Sequence, residues 1–244
     1  MKFLINTAIV IFVFMHVSAH AEIRLASDWS DDFDPKVPKE QRQGERLEKA
    51  ALATANQLNA ANVAGPRGQP TQTSGFQLYF GDTKYYIQPM LFMAKDKPNE
   101  VCTPEDYQKA PTYKCVEGQR YKASCHLLFF NAQFQNVGVH RIRVNEPYEY
   151  FCNATPAMGV LDRNRNELLV TIQYFPIDGK VAGKAGDIGS GWKRMTTLFR
   201  LKETDGKISV EQDDSCLKNP NSIETIPDAR KALKACATTQ SAHP

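Results

Sequence analysis

Apolar residues recur at every second position through much of the middle of this chain. Leu168, Val170, Ile172 and Tyr174 share one face of a strand by that spacing. This arm and the apolar segment Met158–Leu161 flank the polar tip Asp162-Arg163-Asn164-Arg165-Asn166. Asp and Asn tolerate left-handed backbone angles and bond their own main chain, so the tip reads as a turn. FQLYF (Phe76–Phe80), Gly81-Asp82-Thr83 and KYYIQPMLFMA (Lys84–Ala94) predict a second hairpin. Within it Pro89 marks an edge position or a bulge. Further strands are expected at Ser124–Phe134, Val137–Val144, Tyr148–Cys152, Arg194–Lys202 and Lys207–Gln212. The last two flank Glu203-Thr204-Asp205-Gly206, where Asp-Gly favours a tight hairpin turn with positive φ.

The pattern changes at both ends. From Lys39 to about Asn62, Leu47, Ala51, Leu52, Ala55 and Leu58 fall at helical spacing. Most of that stripe is alanine, so the helix packs closely and buries little area. Ile226–Cys236 reads as a short helix, with Pro227 near its first turn and Asp228 at its positive end. The expected fold is therefore mainly β: antiparallel hairpins between an N-terminal and a short C-terminal helix. A sandwich, a curled barrel and an irregular propeller all fit, and no clean internal period singles one out.

Residues 1–21 read as a signal peptide: Lys2, an apolar run from Phe3 to Val17, then Ala19-His20-Ala21 as a small-x-small cleavage site. The expected organisation continues with an acidic flexible arm over 22–38, a helix over 39–64 and a linker over 65–75. A β-rich domain follows over 76–236, with a tail over 237–244. Trp29 and Phe33 give the arm a second reading, as an aromatic-in-acid segment that docks on a basic partner. Loss of Lys2 takes the formal charge from +3 to +2, too small a balance to suggest nucleic acid or an anionic membrane. No second apolar run approaches membrane length, so no insertion is expected after cleavage. The sequence leaves the oligomeric state open.

The six cysteines all follow the signal segment, and an even count in an exported chain favours disulfides. Fifteen pairings are possible for six cysteines. The preferred set joins sequence neighbours: Cys102–Cys115, Cys125–Cys152 and Cys216–Cys236.

Chemistry-bearing motifs are few. Asp162, Asn164 and Asn166 place oxygen at alternate positions of a short loop, as calcium requires, with Glu167 as a further ligand. Against an EF-hand the match stops early, since Glu167 stands where Gly is required and Gln173 where a bidentate Glu is expected. VLDRNRNELLV, a glycine-rich gap and LFRLKETDGKISV together resemble one blade of the VCBS/FG-GAP class of β-propeller repeats. The resemblance spans Val160 to Val210, and no other hairpin repeats it. It implies a propeller-like binding scaffold, often with calcium in the loop before the Glu-Leu strand.

His126 and His140 lie on candidate neighbouring strands, without a third ligand at suggestive spacing. No H-E-x-x-H, G-x-S-x-G or zinc-type cysteine pair occurs. Binding features are better represented. The loop from Pro176 to Lys193 is glycine-rich and basic, carries Lys180 and Lys184, and ends at Trp192, Lys193 and Arg194. Trp and Arg are the types most enriched at energetic hot spots. The polar excursion Lys95–Arg120, stapled by Cys102–Cys115 and carrying Tyr107 and Tyr113, is a second candidate surface. These features describe a periplasmic or secreted binding protein with a protein partner, most concretely an inhibitor or immunity-type protein. The alternatives are a carboxylate-dependent secreted hydrolase and a structural component of an envelope assembly.

Overall fold

The computed structural model describes residues 22–26, 29–60, 67–70, 75–95, 115–116, 119–146, 149–162, 166–177 and 192–241. Its strands form two antiparallel sheets. The first holds β1 (Ile23–Ala26), β2 (Arg67–Pro70), β3 (Phe76–Phe80), β4 (Thr83–Lys95), β5 (Cys115–Val116), β6 (Gln119–Asn131) and β7 (Asn136–Arg141). The second is a meander of β8 (Glu149–Asp162), β9 (Glu167–Ile177), β10 (Lys193–Thr204) and β11 (Lys207–Asp213). Among the described residues the strands close no barrel. The segment that resembles a propeller blade does make a four-stranded meander, but that sheet packs face to face on the larger one.

Side-chain parity explains the packing. Leu168, Val170, Ile172 and Tyr174 of β9 all point inward, as their spacing predicts, and meet Ile87, Leu127 and Phe129 of the first sheet. The outer faces are covered as well. Helix α2 (Gln43–Ala60) lays Leu47, Ala51 and Ala55 over Tyr86, Met90, Leu128 and Phe130. Helix α3 (Ile226–Ser241) sets Ile226 and Ala229 on Leu169 and Leu198. The molecule thus has four layers: helix, sheet, sheet, helix. Cys125–Cys152 joins the two sheets through the core, and Cys216–Cys236 ties α3 to the loop after β11. Cys102 and the side chain of Cys115 lie outside the described residues.

Pro89 sits in a central strand, not at an edge. On one side β4 pairs with β3 as far as Ile87, then with β2 from Met90 onward. Gln88 and Pro89 fall in the gap between those two partners, where a missing N–H breaks no ladder bond. The Asp-Gly turn forms as expected, with Asp205 at φ 52° and Gly206 at φ 76°.

Residues 22–38, expected as an arm, contain β1 and the one-turn helix α1 (Ser30–Phe33). Trp29 packs on this chain's own sheet: its ring stacks on Tyr86, and its Nε1 donates to Gly75 O at 3.1 Å. Phe134 stacks on Tyr86 with ring centroids 4.8 Å apart, capped by the Arg46 guanidinium 4.3 Å from the Phe134 ring. Phe33 is the exposed aromatic of the segment.

One edge of the sandwich is closed by main chain and side-chain amides. The backbone of Gly138 on β7 lies against the Ile208 carbonyl of β11 so closely that a Cβ would collide with it. Gln212 then acts as a substitute strand: Oε1 accepts from Arg143 N, and Nε2 donates to Arg143 O, both at 2.9 Å. Asn219 repeats the device, donating to Arg143 O and accepting from Asn145 N. Gln212→Leu keeps much of the volume but strips Arg143 N of its partner and leaves Arg143 O to Asn219 alone. It is expected to lower the unfolding free energy by about 1–3 kcal/mol, read by urea denaturation. A change below about 0.5 kcal/mol would show that water replaces the amide.

Candidate functional site: a cleft at the open corner of the sandwich

Among the described residues the opposite edge is open. β1 ends the strand order of the first sheet and β8 ends that of the second. Between them lies a cleft of about 510 Å³, lined by Ile23, Leu25 and Phe76 on one wall and Met158, Val160 and Leu161 on the other. That volume falls within the range of about 300–1,000 Å³ typical of ligand pockets. Arg24 and Arg230 are the charged residues of its lining.

The edges themselves are chemically active. Gly81 N–H donates to Glu22 O at 2.9 Å, so Glu22, Arg24 and Ala26 are the residues of β1 that bond to β3. In an antiparallel pair the intervening residues turn their main-chain groups the other way. Leu25, half-buried, therefore offers its N–H and C=O to the cleft, while Ile23 turns the same way but is fully buried. On β8, Arg230 Nη2 donates to Val160 O at 2.7 Å, which marks that carbonyl as facing away from β9. Gly159 lets α3 approach: a Cβ there would stand 3.0 Å from Ile226 Cγ2 and 3.6 Å from Arg230 Nη2. The Arg24 guanidinium lies 4.0 Å over the Tyr79 ring, on the face of β1 opposite Ile23 and Leu25.

Neither arginine meets a carboxylate among the described residues. The ion pairs there are Lys39–Glu45, Lys193–Glu146, Arg200 with Glu167 and Asp213, and Lys231–Asp228. The cleft is thus apolar, cationic and bordered by unpaired strand edges.

The surface expected from sequence lies elsewhere. Trp192 is half-buried, its ring edge-on to Phe175 at 5.7 Å. Lys193 Nζ pairs with Glu146 Oε1 at 3.0 Å, and Tyr174 donates to the same oxygen at 2.8 Å. Burial, then that carboxylate, raises the Tyr174 phenol far above its ordinary pKa. Arg194 is exposed opposite Gln173. Lys180, Lys184, Tyr107 and Tyr113 lie outside the described residues. Along β8 this corner, at Cys152, stands about 25 Å from the cleft at Val160.

At the tip between β8 and β9, Asn166 takes φ 53°, and its Oδ1 is buried without a hydrogen-bond partner. Glu167 Oε2 is likewise buried and unpartnered, while its Oε1 lies 3.5 Å from Arg200 Nε. These two oxygens suit a hard cation, but Arg200 already offsets the Glu167 charge, and calcium takes six to eight ligands. Asn164 and the side chain of Asp162 lie outside the described residues. Among the described residues no group of three His, Cys, Asp or Glu is placed to hold a metal. His126 and His140 do sit on paired strands, but their registers, His126 with Arg141 and Leu127 with His140, put them on opposite faces.

Sequence reasoning missed the cleft because its walls are ordinary strand residues far apart in the chain, as Ile23 and Val160 are. The one available signal was Arg230, a cation inside the C-terminal helix pattern. Comparison with family models, with curated proteins and with solved structures found no match to this chain.

Proposed function

We propose that this chain is an exported binding protein that acts by presenting a rigid, disulfide-stapled surface to a protein partner. Its most concrete form is an inhibitor or immunity-type protein that occupies an enzyme or toxin of the cell envelope. The single observation behind the reading is the cleft, whose edge strand β1 and whose arginines, without a carboxylate partner among the described residues, stand on a disulfide-bonded body. A rigid body around an open, incompletely satisfied groove binds with little ordering cost. Disulfides of this kind persist in oxidising compartments, which supports a periplasmic or extracellular site of action.

The test is direct. The chain from residue 22 onward is used to capture a partner from envelope extract, and the purified pair is titrated by calorimetry. A one-to-one complex in which the partner's activity is suppressed is the expected result. The same chain is assayed alone on peptidoglycan, glycans and lipids. Turnover abolished by a single Asp or Glu substitution would replace the binding role with a hydrolase.

A further inference from the structure

We propose that the cleft receives an extended acidic segment of a protein partner, which adds to the free edge of β1 as a further strand. This deepens the binding role above and rests on it. Three observations converge. First, Leu25 directs partly exposed main-chain N–H and C=O groups at the cleft, and an incoming strand satisfies such groups. Second, Leu25, Phe76, Met158 and Leu161 give apolar contacts, which suit the alternate side chains of an incoming strand.

Third, the charge has one sign. Arg230 stands at the β8 wall, while Arg24 stacks on Tyr79 on the other face of β1; the lining holds no acidic residue, and neither arginine has a carboxylate partner among the described residues. A guanidinium binds a carboxylate through two parallel hydrogen bonds, and Arg230 is already oriented by its bond to Val160 O. A basic segment would be repelled. A neutral one would leave both cations unmatched. The occupant is therefore an extended stretch in which apolar residues alternate with Asp or Glu.

The strand edge also separates this site from the corner at Trp192, where Lys193 already has Glu146 as a partner. Closing the corner in this way would make the open side resemble the closed one, where Gln212 and Asn219 already supply strand-like bonds.

A phage-displayed library of random dodecapeptides, selected on the chain from residue 22 onward, tests this. Enriched peptides should alternate apolar residues with Asp or Glu. Their affinity, read by fluorescence anisotropy, should fall at least tenfold in Arg230→Glu and again in Leu25→Pro, which removes one edge N–H. Arg230→Glu changes an exposed side chain, so it keeps the test alive if Leu25→Pro does not fold. Enrichment of basic peptides, no enrichment, or affinity unchanged in Arg230→Glu would each overturn the proposal. So would sedimentation showing that a second copy fills the edge, as self-association lost in Leu25→Pro. If both variants still bind the partner captured from envelope extract, the cleft is wrong and the binding role stands. If the unaltered chain captures no partner at all, the binding role itself fails.

Discussion

Replacing Cys125 and Cys152 together by alanine lowers the unfolding free energy by about 3.5 kcal/mol. The two cysteines are 27 residues apart, and a cross-link closing a loop of that length removes roughly this much chain entropy from the unfolded state. Both residues are fully buried between the sheets, so the change also leaves a small cavity there. The pair joins β6 to β8, and no main-chain ladder connects those strands. Its loss therefore removes the covalent tie between the two sheets at the Cys152 end of β8, and unfolding should become less cooperative. Urea denaturation of the double variant against the unaltered chain measures it. Labelling of either sulfur by iodoacetamide in the native protein would remove the premise. Cys216–Cys236 closes a loop of 20 residues, which in the same entropy account is worth only about 0.3 kcal/mol less. Its structural consequence differs, since it anchors the helix that carries Arg230 and leaves the sheets alone.

Acidification is expected to destabilise the protein by about 3 kcal/mol through one histidine. His126 lies on the outer face of β6, its ring 4.3 Å from Phe92, with Nδ1 3.3 Å from Ser124 O. Burial dominates and lowers its pKa from 6.5 to about 4. The Ser124 carbonyl opposes that shift, while the charges of Arg141 and His140 add to it. The native state thus binds fewer protons than the unfolded chain between those two values. Stability is at full strength above pH 6.5, falls as the pH drops, and levels off once the pH is below about 4. A difference of 2.5 pK units corresponds to about 3 kcal/mol. His140, shielded between the sheets against Phe199, is lowered by burial and by Arg143, so it adds to the same slope. Below this window Asp213 contributes: its hydrogen bonds to Ser215 and the Arg200 guanidinium outweigh burial and lower its pKa, so protonating it costs stability too. The difference between the unaltered chain and His126→Gln isolates the first effect. Parallel pH–stability curves for the two would show that His126 titrates normally.

These expectations bear on the cleft. Its walls belong to different sheets, and its cation rides on α3. The Gly159 contact under α3 and the Cys216–Cys236 anchor therefore hold its β8 wall. A corner anchored through α3 in this way changes little on binding, so affinity differences among ligands should appear mainly in dissociation rates.

Period-2 spacing was enough to place β9, β10 and β11 and to say which side of β9 faces inward. The Asp205-Gly206 turn and both observed disulfides were also legible, because each depends on residues close in sequence. Tertiary structure alone decided the rest. In β4 and β6 both parities are apolar, as in His126-Leu127-Leu128-Phe129-Phe130, and only the packing of α2 explains why the outer set is buried. β1 has four residues and no turn signal, and it becomes a strand by borrowing hydrogen bonds from β3 across more than fifty residues. The cleft is more distant still, joining Ile23 to Val160 and Arg230. Local sequence records which way a side chain points. Which strand edges remain unpaired depends on where the sheets end, and that is set by contacts between segments far apart along the chain.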